Sequence, residues 1–343
     1  MAARLSRRGL LKIGGGVAAA ATAAGLAVYG GAATSHAEVP SSPKFVLNGA
    51  GGNPVWRKKL HMPKGWAMQM FGFDTAKGHM YFVQHQAPTD PDNPGDLWIT
   101  RTDMAGKELG AMFLRKFGHG SGMVVEPTSG APRIWIEGSD LNPVNGAGEK
   151  GCYLTYKDGA TVDYVDDNHL ITDRTPTIDS FAKLPRPAYD PLYNRLLYRY
   201  ATHEPAQRVW RIALFSMEDA KNGRLGQGNR IAERAIPNNA ELGLSDKDYF
   251  QGIVPCGQYA YLLFGRGNSK SWIVVLDMND TGGSMVEKFE TRAGASLPGR
   301  EPEGISIWMV DGKPRLAFGF SSKIGTDPTA TFEASVFYKS EFV

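Results

Sequence analysis

Beyond residue 66 the chain is a succession of short apolar or alternating runs, cut by Gly, Asp, Asn and Pro. Period-two runs bounded by turn residues predict strands, and so many of them predict an all-β protein. No long stretch keeps a helical period; only Phe215–Lys221 and Asn239–Lys247 read as brief helices. The strands recur as a unit. An apolar strand makes a tight turn and returns as an aromatic-rich strand, and a third strand follows. Gln69–Phe73 returns as His79–His85, and Gly122–Glu126 as Arg133–Glu137. Arg186–Tyr189 returns as Arg195–Tyr200, Gln251–Pro255 as Tyr259–Phe264, and Gly304–Met309 as Arg315–Phe320.

Taking Gln69, Gly122, Pro187, Gln251 and Glu303 as equivalent starts gives intervals of 53, 65, 64 and 52 residues. That is the length of one four-stranded propeller blade with its loops. The expected fold is a five-bladed β-propeller of four-stranded antiparallel blades. Thr161–Tyr164 reads as the fourth strand of the second blade. The fifth copy lacks a fourth strand, which Val55–His61 is expected to supply, closing the ring and leaving no free sheet edge. A six-bladed ring is the alternative if the stretch from Asp166 to Phe181 hides strands, and a β-sandwich pair is another.

The first 37 residues change the picture of the charge. Ser6-Arg7-Arg8-Gly9-Leu10-Leu11-Lys12 has the form of a twin-arginine export motif, an Ala/Gly-rich apolar stretch follows, and Ser35-His36-Ala37 offers a signal-peptidase site. Residues 1–37 are therefore expected to be a signal peptide and 38–343 a single propeller domain, exported to the extracellular space or the cell wall. No later segment is long and apolar enough to span a membrane. The chain carries 38 basic and 35 acidic residues, and four of the basic ones lie in the signal, which leaves 34 against 35. A nearly neutral domain lacks the electrostatics of a nucleic-acid binder. A monomer is expected.

Inner strands line the channel of a propeller, and the loops at one end form the usual ligand face. Polar residues gather at the starts of first strands (Gln69, His119, Arg186, Gln251, Arg300, Glu301, Glu303) and near the ends of second strands (His85, Glu137, Arg199, His203, Arg266). His85 and His119 are candidates for acid/base work near neutral pH. Arg186, Arg266 and Arg300 are candidates for a carboxylate or phosphate clamp. Glu301 and Glu303 can hold a cation such as calcium in the channel, pair with those arginines, or act as acid and base. No cofactor is expected beyond that cation, because a Gly-x-Ser-x-Gly elbow, a P-loop, a His-Glu-x-x-His motif and a dinucleotide fingerprint are all missing from the sequence. The two cysteines, Cys152 and Cys256, are too far apart for a local redox or zinc motif, and either pair after export or are buried hydrophobes.

Gln69–Phe73, Gly95-Asp96-Leu97-Trp98-Ile99, Phe117-Gly118-His119-Gly120 and Glu301-Pro302-Glu303-Gly304-Ile305 resemble the teichoic acid biosynthesis protein C family, and the fold type is similar to the propeller of phage receptor-binding proteins. The resemblance covers about residues 60–140, with a weaker echo near 249–310. It implies a five-bladed propeller that meets cell-surface or extracellular glycans, with Gln69, His119 and Glu303 at the matching positions. The export signal departs from that pattern. It marks an exported bacterial protein and not a virion part, and it weakens a synthetic role, since such polymers are assembled from cytoplasmic precursors.

Three functions follow as expectations. The first is a secreted, carbohydrate-binding module for cell-wall polymer or environmental polysaccharide, with Trp66, Trp98, Trp135 and Tyr200 available to stack on sugars. The second is a polysaccharide lyase acting on a uronate glycan. There His85, His119 and Arg186 would be catalytic, and Gln69, Gln251, Arg266, Arg300 and Glu303 would bind substrate; a hydrolase would instead use Glu137 and Glu303. The third is a scaffold that binds protein.

Overall fold

The computed structural model describes residues 38–48, 51–58, 60, 67–86, 95–138, 146–180, 182–202, 209–323 and 332–343. The expected signal peptide, Trp66 and His203 lie outside the described residues.

The strands assemble into five sheets arranged as blades. Blade one holds β2 (Met68–Asp74), β3 (His79–His85), β4 (Leu97–Asp103) and β5 (Glu108–Arg115); blade two begins with β6 (Met123–Glu126), β7 (Arg133–Gly138) and β8 (Lys150–Thr155). Blade three holds β11 (Lys183–Asp190), β12 (Arg195–Thr202), β13 (Val209–Ser216) and β14 (Arg230–Ala235). Blade four holds β15 (Tyr249–Cys256), β16 (Tyr259–Gly265), β17 (Ser271–Asp277) and β18 (Glu287–Thr291). Blade five holds β19 (Glu301–Val310), β20 (Lys313–Lys323) and β21 (Phe332–Lys339). Its outer strand comes from the other end of the chain: β1 (Asn53–Lys58) pairs antiparallel with β21. The closing strand is supplied by the segment the sequence pointed to, starting two residues earlier than expected, with His61 outside the described residues, and the ring is sealed by hydrogen bonds between distant parts of the chain.

Two assignments differ. The segment expected to complete blade two, β9 (Thr161–Asp163), crosses instead to blade one and pairs parallel with β5. Val162 buries there beside Met112 and Leu114, and the Asp163 carboxylate meets the Lys116 ammonium at 3.0 Å. Blade two is completed by the two-residue β10 (Thr172–Asp173), paired with β8. Between Asp166 and Ser180 the described residues hold that one short strand, so the count is five blades and not six. Of the two brief helices expected, Met217–Lys221 forms α1, capped by the Ser216 hydroxyl accepting from the Asp219 N–H. Asn239–Lys247 forms turns.

The core lies in the seams between blades. Five apolar clusters each join two neighbours, for example Val124 and Trp135 of blade two with Leu196 and Tyr198 of blade three. Both faces of an inner strand are therefore covered, and β2 is buried along its whole length. A side chain such as Phe71, with no exposure, contributes roughly 1.5–3 kcal/mol by burial. Cys152 lies in the seam of blades one and two and Cys256 in the seam of blades four and five; both are free and buried. Among the described residues no helix is long and apolar enough to cross a membrane.

Candidate functional site

The two ends of the propeller differ. At one end hairpins close with short turns at 75–78, 191–194, 257–258 and 311–312. At the other, where the inner strands start, second and third strands are joined by the longer stretches 86–96, 139–149, 203–208 and 324–331. The inner strands β2, β6, β11, β15 and β19 touch in sequence around the ring. Toward the short-turn end they enclose a cavity of about 210 Å³, to which Met70, Met123, Ala188, Ile253 and Ile305 contribute one side chain per blade. The polar groups belong to the opposite mouth.

Four of the five inner strands carry a β-bulge where they begin. The register slips between Met68 and Met70, between Lys183 and Arg186, between Phe250 and Gly252, and between Pro302 and Ile305. A bulge bends a strand and re-aims a side chain. Its extra residues are Gln69, Gln251 and Glu303 in three of the blades. Polar side chains can stand there because the ladder has no partner opposite them.

Gln69 and Glu303 face each other across the seam of blades five and one, and Gln69 Nε2 donates to the Met68 carbonyl at 3.3 Å. Both are buried, and burial drives the Glu303 carboxyl well above the usual carboxylate range, with Glu301 adding to the rise and Gln69 opposing it. Glu301 is also raised, by burial, against the Gly267 N–H. Gln251 is half-buried and donates to the Gly265 carbonyl at 3.3 Å.

A second cluster forms between blades one, two and three. His85, ending β3, and His119, in the loop 116–122, face each other with ring centroids 5.0 Å apart. His85 Nε2 is buried without a hydrogen-bond partner among the described residues. Burial, aided by His119 and opposed by Glu137, holds its imidazole down to about 4. The loop carrying His119 is fixed from both sides. The Glu137 carboxylate accepts the Gly120 and Gly148 N–H groups, each at 2.6 Å, and pairs with the Arg186 guanidinium at 2.8 Å. Arg186 Nε donates to the Ser121 hydroxyl at 2.9 Å, and its Nη1 to the Pro185 and Gly148 carbonyls. Glycine is required at position 118. Its φ is +140°, and a Cβ would stand 2.5 Å from a Glu137 carboxylate oxygen.

The arginines expected to clamp an acid are differently occupied: Arg186 stands in blade three, while Arg300 bonds the Asn268–Ser269 connection that follows Arg266. Arg186 is spent on Glu137. Arg300 lies in blades four and five, donates to Ala293, Thr291 and Ser271, and stacks 3.9 Å from the Phe320 ring. Arg266 is exposed. Trp135 and Tyr200 are fully buried in the seam of blades two and three and serve packing, while half-buried Trp98 lies 4.7 Å from the Phe113 ring. Among the described residues no three His, Cys, Asp or Glu side chains converge to hold a metal ion. Ser121, Gly120 and Gly148 were not visible as site residues from sequence; the one signal was the Gly-x-Gly-x-Gly spacing around His119.

Known proteins share this architecture. A model of the phage five-bladed β-propeller receptor-binding platform domain matches residues 67–325. A Bacillus subtilis (strain 168) protein, "Putative major teichoic acid biosynthesis protein C", is 27% identical over 278 residues, covering 77% of this chain and 58% of that protein. The chain thus spans little more than half the length of that curated relative. The tail fibre of Staphylococcus aureus phage P68 superposes with a TM-score of 0.60 at 22% identity, over 87% of this chain and 52% of the fibre, a likeness of fold.

Proposed function

This chain belongs to the family of phage five-bladed β-propeller receptor-binding platform domains, and we propose that it is an exported module that binds a cell-surface polymer at the long-loop mouth of its channel. The polymer class proposed is a cell-wall or extracellular glycan, teichoic acid first among them. Support comes from the receptor-binding character of the family and from the teichoic acid biosynthesis name of the Bacillus subtilis relative.

One observation carries the choice of binder over lyase: the Arg186 guanidinium is enclosed against Glu137. A uronate lyase needs a cation facing the substrate carboxylate and a base that titrates near the working pH. Arg186 directs its donors at Glu137, Ser121 and carbonyl oxygens, and His85 is neutral with a pKa near 4. The same contacts suit recognition, because they hold the His119 loop in one shape before ligand arrives, which lowers the ordering cost of binding. Sugar hydroxyls and the His85–His119 pair are complementary, as imidazoles both donate and accept.

The reading is tested by co-sedimentation with purified bacterial walls, intact and stripped of teichoic acid. Binding to intact walls, several-fold weaker for His119→Ala at unchanged melting temperature, is expected. Equal sedimentation with stripped walls would move the ligand to another wall component, and no sedimentation with any wall or glycan would end the proposal.

A further inference from the structure

A cavity of about 730 Å³ lies beside the channel mouth, in the groove between blades three and four. That volume is within the range of small-molecule sites, roughly 300–1,000 Å³. Trp210 of β13 and Tyr249 and Phe250 of β15 line it, and Asn238, Asn239 and Glu241 of the connection between β14 and β15 form its polar side. Tyr249 is 57% exposed and Val209, beside Trp210, 41%. At the lip of a concave site such side chains offer apolar contact surface to a ligand.

The groove is built as well as open. The Arg199 guanidinium lies between two rings, 3.4 Å from the Trp210 centroid and 3.8 Å from that of Phe250. This stack clips blade three to blade four and sets the spacing of the two aromatic walls. Asn239 Nδ2 donates to the Ser245 and Asp248 carbonyls at 2.8 and 3.1 Å, and Glu241 and Asn238 bond reciprocally, backbone N–H to side chain in each direction. The polar side is therefore held in place. Arg199 stands opposite Arg186 in the ladder of β11 and β12, which sets the groove at the mouth end of blade three.

From this arrangement we infer that the groove between blades three and four is a second ligand site, which takes a neutral pyranose. A pyranose has one face of C–H bonds and an edge of hydroxyls. The first matches the exposed Tyr249 ring, the second the amides and carboxylates of Asn238, Asn239 and Glu241. The charge selects against acids. Two carboxylates, Glu241 and Asp248, line the groove against one guanidinium that is already enclosed between rings. A site of this kind is separate from the His85–His119 cluster and holds whether or not that cluster binds wall polymer. Together the two would let one propeller grip two units of a chain, multiplying weak contacts.

The test is saturation-transfer-difference NMR on the whole protein with glucose, galactose, N-acetylglucosamine and N-acetylgalactosamine, beside glucuronate and glycerol 3-phosphate. At least one neutral sugar is expected to take up saturation, and the acids less. Tyr249→Ala, an exposed position whose loss leaves the fold intact, is expected to weaken that sugar about fivefold or more, while Tyr249→Phe retains it. His119→Ala is expected to leave it unchanged. No uptake by any neutral sugar, uptake equal in Tyr249→Ala, stronger uptake by glucuronate, or loss only in His119→Ala would each overturn the inference, the last by moving the sugar to the His85–His119 cluster.

Discussion

Arg186 Nη2 lies 2.8 Å from Glu137 Oε2, with side-chain exposures of 6% and 0%. The pair joins blade three to blade two and, through Gly120 and Ser121, fixes the loop between blades one and two. An enclosed pair adds little over an apolar one, but removing one partner strands the other charge, at a cost of about 3–5 kcal/mol. Glu137→Gln is expected to lose that much stability in urea unfolding, and Glu137→Gln with Arg186→Met to recover most of it. A single-variant loss below about 1 kcal/mol would show that the pair does not hold the seam.

His85 gives stability a sign with pH. Its folded-state pKa is about 4 against 6.5 for the free side chain. Between those values the unfolded chain binds the proton and the folded one does not, so stability is full above pH 6.5 and falls as pH drops toward 4. The upper limit of the loss is on the order of 3 kcal/mol. His85→Asn is expected to flatten the melting temperature between pH 7 and 4.5 relative to the parent. An unchanged slope would mean that His85 titrates normally.

Glu303 acts in the opposite direction. Its folded-state pKa is raised well above 4.5. Above pH 4.5 the unfolded carboxyl ionises while the buried one keeps its proton, so this group lowers stability as pH rises from 4.5 to its folded pKa. Glu303→Gln keeps a hydrogen-bonding partner for Gln69 without the carboxyl. It is expected to raise the melting temperature at pH 7.5 by about 2 °C or more, the shift of roughly 1 kcal/mol in a domain of this size, and to change nothing at pH 4. A loss at pH 7.5 would show that an ionised Glu303 is needed.

Both thiols are pushed up by burial, and they sit in different seams. Disulfide exchange reagents react with thiolate. Native protein is expected to show no reaction, and protein in guanidinium two thiols per chain. None in guanidinium would reveal a disulfide and require the seams to rearrange.

The blade count was legible because each blade repeats one local pattern, an apolar strand, a Gly or Asp turn and an aromatic return, and these fix pairing within a hairpin. The closing strand was legible from what blade five lacked. The exchange of β9 to blade one was not, since Val162 fits either neighbour by pattern and only the packing against Leu114 decides. Nor was β10, whose two residues hold no period. For the mouth, sequence placed His85, His119, Gln69, Gln251 and Glu303 at strand ends. It could not see that Glu137 would claim Arg186, because that contact joins residues 49 positions apart in separate blades. The groove was hidden for the same reason: Arg199, Trp210 and Phe250 belong to three strands in two blades, and only the ring closure brings them together.

Binding without turnover is measured most directly by incubating the protein with teichoic acids, neutral glycans and uronate polysaccharides, then weighing both bound and free polymer by mass spectrometry. A surface-polymer binder retains one of these classes and leaves every chain at its starting mass. Fragments one water lighter than hydrolysis products would establish a lyase. Fragments that had gained a water would establish a hydrolase, and either would contradict the reading given to Arg186 and His85.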